Sequence, residues 1–219
     1  MPITWAVPVI DVVPRVGAAV AALGRSEPVV LTDTATDVAA LVLSAGTTEP
    51  STVAFLVRHT SGFLCAAMPP QVPDRLRIPV SPARDLHFPD FEFGISVDAV
   101  GTGTGISASA RAATLRRLAD PAAAAEDFTR PGHVITVRVR AAHALPVSLP
   151  SGAVELVRAA GDEPVAAYGH LVGERDPTGL ATTREAEGFA RRERPATVSI
   201  AELGHRGRSG PGCRLACGG

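Results

Sequence analysis

The chain has 219 residues, 46% of them hydrophobic and 20% charged, with a formal net charge of −1, so it can bury one sizeable core. Its 21 basic and 22 acidic side chains nearly cancel, and the arginines are scattered rather than striped, which excludes a surface built to track nucleic acid. Lysine and asparagine are both absent, which excludes Schiff-base chemistry on lysine and fits a GC-rich, actinomycete-like coding bias.

Residues 14–23 read as a short helix, with Pro14 near its first turn and Gly24 just past its end. A strand is expected at 28–31. The apolar run 38–43 fits strand or helix, because periodicity does not separate them over so few residues. Residues 52–58 read as helix and 62–68 as a buried strand. The stretch 69–90, rich in Pro, Asp and Arg, is expected to be irregular with a short helix at most. A strand follows at 91–97 and a helix at 107–118, stopped near Asp120-Pro121. Strand 134–139, helix 152–160, strand 165–171, helix 182–191 and strand 198–200 complete the pattern. The Gly- and Arg-rich tail after Leu203 is expected to be disordered, so the domain is placed at 1–203 and the tail at 204–219. Helices and strands interleave throughout, which predicts an α/β layer structure.

Apolar runs such as 12–23 are interrupted by Pro14, Arg15 and Gly17, and none reaches the roughly 20 residues that span a bilayer. No secretory signal pattern opens the chain, so the expectation is a cytoplasmic protein with neither membrane nor nucleic-acid partners. Cys65 lies in an apolar run and Cys213 and Cys217 lie in the tail. They make no disulfide framework, and the tail pair with only His205 nearby leaves a tetrahedral metal site incomplete.

Four ordered blocks carry more. Arg58-His59-Thr60-Ser61-Gly62 resembles an RHGSG segment, and Thr104-Gly105-Ile106-Ser107-Ala108-Ser109-Ala110-Arg111 resembles TGVSAADR with Ala110 in place of aspartate. Thr129-Arg130-Pro131-Gly132-His133-Val134 resembles NRPGHV, and the stretch from Ala159-Ala160-Gly161 to Leu171 resembles one that begins LAG and leads to a glutamate. Together they resemble the 3,4-dihydroxy-2-butanone 4-phosphate synthase family over residues 13–203. The resemblance implies that family's fold, a three-layer structure with a central mixed β-sheet flanked by helices, and a homodimer with sites at the subunit interface.

It also brings out departures. The family's acidic, arginine-bearing first loop, which supplies a metal-binding glutamate, corresponds to residues 32–40, where Ala35 and Thr36 stand near the Arg-Glu pair. Its second loop, of the type RxGHTE, corresponds to Pro146-Val147-Ser148-Leu149-Pro150-Ser151, so Leu149 replaces the metal-binding histidine and Pro146 the arginine. His170 stands where the resemblance puts the catalytic glutamate. Magnesium demands hard, charged oxygen ligands, so no metal and no cofactor are expected.

The candidate catalytic residues are His133, because an imidazole titrates near neutral pH, and His170 as a replacement acid or base. Substrate contacts are expected from Arg130, Thr36, Val147, Leu149 and His59. The alternatives stand beside them: His133 as a packed turn residue, His170 as a surface substitution, Arg130 in an ordinary ion pair, and His59 as support for the first loop. Asp33 and Asp37 read as solvated loop residues, Cys65 as core, and the glycines of 101–105 as a turn before a helix. The expected function is an enzyme of secondary metabolism, of lyase, isomerase or cyclase type. It would perform metal-independent acid/base chemistry on a less charged small molecule. The alternative is a non-catalytic homologue binding a metabolite or partner protein, and an authentic synthase of riboflavin biosynthesis is ranked last.

Overall fold

Seven strands alternate with seven helices in the computed structural model, which describes residues 12–81, 90–140 and 148–206. The strands are β1 (Val29–Asp33), β2 (Val38–Ser44), β3 (Cys65–Met68), β4 (Phe91–Ala99), β5 (Phe128–Val139), β6 (Ala166–His170) and β7 (Ala196–Ser199). The helices are α1 (Val12–Gly24), α2 (Pro50–His59), α3 (Gln71–Arg75), α4 (Ala108–Ala119), α5 (Leu149–Ala159), α6 (Thr183–Glu193) and α7 (Ile200–Arg206). One mixed sheet runs in the order β4-β5-β3-β6-β2-β1-β7, parallel at β3–β5 and β1–β7 and antiparallel elsewhere.

Successive residues of a strand point to opposite faces, and both faces of this sheet are covered. Val30, Leu41, Leu43, Ala66, Met68 and Ala167 pack beneath α2, α4 and α6 in one buried cluster. Val29, Leu31, Val42, Cys65, Ala67 and Tyr168 pack beneath α1, α5 and α7 in the other. This is the expected three-layer arrangement. Burial on both faces also explains why 38–43 was ambiguous: such a strand reads as one continuous apolar run.

The helices start where the sequence supplies caps. The Ser107 hydroxyl accepts the Ala110 N–H at 3.1 Å at the head of α4, and Ser148 and Thr182 head capping boxes with Ser151 and Glu185 on α5 and α6.

Two expectations need correction, and a third holds. Strand β5 starts at Phe128 rather than 134, so the Thr129–Val134 motif is strand rather than turn, with register shifts against β4 absorbing Pro131 and Gly132. In the 69–90 excursion, α3 is the short helix allowed for, and Val80 bridges Gly94 of the edge strand β4. Finally, α7 carries the chain past Leu203 to Arg206. Cys213 and Cys217 lie outside the described residues, as do Pro146 and Val147.

Candidate active site

The strand registers collect several candidates at one end of the sheet. Cys65 of β3 pairs with Ile135 on one side and Tyr168 on the other, so His133 and His170, each two residues further, stand at the same level two strands apart. Ala40 pairs with His170, and Val38 with Asp33, which puts the β1–β2 hairpin at that end too.

His133 is the best-supported group. Its Nδ1 meets Asp98 Oδ2 at 2.7 Å and its backbone N–H donates to Asp98 Oδ1 at 2.9 Å, so both carboxylate oxygens hold one residue. The Asp98 side chain is 10% exposed and that of His133 39%. With the carboxylate accepting, Nδ1 is the donor, which leaves Nε2 as the ring nitrogen available for proton transfer. Neighbouring backbone completes the mount: the Gly132 N–H donates to the Ser96 hydroxyl at 3.1 Å, and Gly132 lies so close to the Val97–Asp98 peptide that a Cβ there would overlap it. Sequence reasoning missed Asp98, which pairs with His133 across the β4–β5 register rather than along the chain.

His170, at the end of β6, is half-buried, with its ring 6.0 Å from that of Tyr168 in an edge arrangement. Burial pushes its imidazole below the ordinary range, favouring the neutral form that can accept a proton. Beside it, Tyr168 is buried against Cys65 on the same face. Burial pushes the Cys65 thiol up to about 12 and the Tyr168 phenol well above its usual value, so both are protonated core groups, as expected of Cys65.

The proposed substrate contacts have other occupations. The Arg130 guanidinium donates to the carbonyls of Ala125 and Phe128, each at 3.1 Å, and of Leu76 at 2.8 Å. It ties the α3 C-terminus to the start of β5. The His59 ring lies between Phe55, tilted against it, and Phe189, edge-on, at centroid distances of 4.5 and 5.1 Å. The Thr36 hydroxyl donates to Asp33 Oδ2 at 2.7 Å within the exposed β1–β2 turn. In the same turn Asp37 is more than a solvated residue: its Oδ1 accepts the backbone and hydroxyl of Thr183 at 3.0 and 2.6 Å, fastening the hairpin to α6. Leu149 is 4% exposed and sits in the apolar cluster of Tyr168 and Leu31.

The sequence profile of the 3,4-dihydroxy-2-butanone 4-phosphate synthase family matches residues 17–205. The chain is 42% identical over 165 residues to the riboflavin biosynthesis protein RibBA of Mycobacterium marinum, covering 74% of this chain and 39% of that protein. Against the RibBA of Rhodococcus jostii the identity is 41%, over 74% of this chain and 40% of that one. The chain thus spans about two-fifths of the length of the curated relatives it matches. A synthase structure in complex with two magnesium ions superposes with a TM-score of 0.79 at 30% identity, covering 89% of this chain and 97% of that one. The synthase of Candida albicans gives 0.77 at 27% identity, covering 87% and 96%.

The residues present here do not fit a magnesium ion. Where the resemblance puts its glutamate and histidine ligands stand a Thr36 hydroxyl held by Asp33 and the buried alkyl chain of Leu149, and magnesium binds through hard oxygen. Among the described residues no group of three or more His, Cys, Asp or Glu is placed to hold a metal ion.

These relatives overturn the reading as an enzyme of secondary metabolism doing metal-independent chemistry, and its non-catalytic alternative: proteins about 40% identical over most of the chain are riboflavin biosynthesis proteins. No helix of the described residues is long and apolar enough to cross a membrane. With the profile match, the identity and the shared fold all pointing the same way, the chain belongs to the 3,4-dihydroxy-2-butanone 4-phosphate synthase family, a family of enzymes.

Proposed function

We propose that this chain is a cytoplasmic, lyase-type synthase of riboflavin biosynthesis that takes ribulose 5-phosphate, rearranges its carbon skeleton and releases formate. The reading ranked last from the sequence fits best. The observation that carries it is the 42% identity to RibBA over 165 residues, supported by the orientation of His133 by Asp98 within the shared RPGH motif.

In this reading His133 Nε2 moves a proton at the substrate, and Asp98 holds the ring and stabilises the imidazolium that forms, a role worth about 10²- to 10⁴-fold in rate. His170 serves as the second acid/base group. Arg130, engaged by three carbonyls, is not assigned the phosphate. Each lost charge-assisted contact at the departed positions is worth about 1.5–3 kcal/mol, or roughly 10- to 10²-fold. Turnover well below that of the relatives is therefore expected.

A homodimer belongs to the same proposal. His133 on β5 and the β1–β2 hairpin lie three to four strand spacings apart in the sheet, roughly 15–20 Å. One small substrate reaches both only if two copies bring them together. Phe63, Val100 and Ile106, between 53% and 60% exposed, offer apolar surface from the loops at that end of the sheet.

The test is formate release from ribulose 5-phosphate by the purified chain, read by coupled formate oxidation, with His133→Ala as comparison. Release that falls at least 10²-fold in a normally folded His133→Ala variant is expected. No release above the protein-free rate at high enzyme concentration overturns the synthase reading. A monomer mass by light scattering at tens of micromolar overturns the dimer.

A further inference from the structure

The loop between β4 and α4 contains three glycines in left-handed backbone: Gly101 at φ +86°, Gly103 at φ +65° and Gly105 at φ +76°. All three suit a backbone that other residues enter reluctantly, but their surroundings differ. A Cβ at Gly101 or Gly103 would meet nothing within 4 Å. A Cβ at Gly105 would lie 2.8 Å from Asp98 Oδ1, and closer still to Cγ and Oδ2. Those are the two oxygens that hold the His133 backbone N–H and ring nitrogen.

We propose that Gly105 is a positioning residue for the proposed reaction, its missing side chain leaving the room in which the Asp98 carboxylate holds His133. This rests on the role proposed for His133. The loop backbone forms one wall of the carboxylate's seat, and the β4–β5 ladder forms the other. Any side chain at position 105 pushes the carboxylate off the imidazole. Gly103 supplies a matched control, because Gly103→Ala imposes the same kind of backbone strain with open space around the new methyl group.

The test uses protein labelled with ¹⁵N-histidine. The parent and Gly103→Ala are expected to show a slowly exchanging Nδ1–H signal, assigned to His133 by its loss in His133→Gln. In Gly105→Ala that signal disappears while the rest of the spectrum stays folded. Formate release should show a kcat lowered about 10²-fold, the scale of a misplaced catalytic group, with KM within about twofold, against little change in Gly103→Ala. A folded Gly105→Ala that keeps the His133 signal and its exchange rate overturns the proposal.

If Gly105→Ala folds poorly, a double-mutant cycle with Asp98→Ala decides. Removing the carboxylate makes room for the methyl group, so Gly105→Ala should be tolerated in that background about as well as Gly103→Ala is. Equal damage with and without Asp98 overturns the proposal. Neither the spectrum nor the cycle depends on turnover, so both distinguish failure of this inference from failure of the synthase reading.

Discussion

Arg130→Ala separates two roles for the arginine of the RPGH motif. If the guanidinium bound substrate, its removal would raise KM and leave the fold alone. Instead it donates to three backbone carbonyls from two segments, Leu76 at the end of α3 and Ala125 and Phe128 ahead of the motif. Its Nε is buried and has no hydrogen-bond partner among the described residues. A hydrogen bond from a charged donor is worth about 1.5–3 kcal/mol. The three share one group and water re-solvates part of what is left, so the expected loss is about 3 kcal/mol rather than the sum.

For a protein of this size each kcal/mol moves Tm by roughly 2–4 °C, giving a drop of about 6–12 °C. Arg130→Lys should recover only a small part, since an ammonium cannot reach three divergent carbonyls as a planar fork does. Urea unfolding of parent, Arg130→Ala and Arg130→Lys, with unchanged m values, measures it. A loss below about 0.5 kcal/mol, within the range of ordinary surface substitutions, together with a raised KM, would refute the structural role.

Two further outcomes follow from the buried Cys65 and the half-buried His170. Cys65, with its thiol pushed up to about 12 by burial, should resist iodoacetamide at pH 8 in the native protein and react on unfolding; a Cys213→Ser/Cys217→Ser background makes the readout specific. Rapid native alkylation would show the thiol to be accessible. His170, whose pKa burial lowers in the folded state, takes up its proton first in the unfolded chain. Its contribution therefore turns against folding as pH falls below about 6.5. His170→Gln should flatten the loss of stability from pH 7 to 5, and an unchanged slope would count against a buried imidazole.

What the sequence disclosed follows from the range over which each signal acts. The starts of α4 and α6 were legible to within a residue because their chemistry is local: Ser107 three residues before the Ala110 N–H, and Thr182 three before Glu185. The first half of β5 was not, because Pro131 and Gly132 read as a turn until a neighbouring strand is present to be bulged against. Asp98 was invisible for a related reason: its partner lies 35 residues away and nothing at position 98 announces it. The Arg130 contacts were not legible because its partners are backbone carbonyls, which any residue supplies. His59 could be paired with Phe55 one helical turn away, but not with Phe189 on α6. The departures at Thr36 and Leu149 were read correctly as residues and then weighed too heavily as function, since the rest of the chain stays close to riboflavin biosynthesis proteins.

The two departed positions differ in how firmly the fold holds them. Thr36 sits on an exposed turn and gives up only one hydroxyl bond to Asp33 when replaced. Thr36→Glu should therefore cost no more than about 1 kcal/mol, most of it like-charge repulsion with Asp33. Leu149 begins α5 directly after the capping Ser148, whose hydroxyl donates to the buried Asp90 carboxylate at 2.5 Å, and its side chain is 4% exposed in the core. Leu149→His forfeits about 1.5–3 kcal/mol of apolar burial and places two ring nitrogens where at least one needs a new partner. About 3–4 kcal/mol in total is expected. The hairpin position can thus change with little consequence for the fold, whereas the helix start has become part of what holds α5 on the sheet. Urea unfolding of the two single variants tests this directly: if Leu149→His unfolds at the parental midpoint, Leu149 is no part of the core and the distinction between the two positions fails.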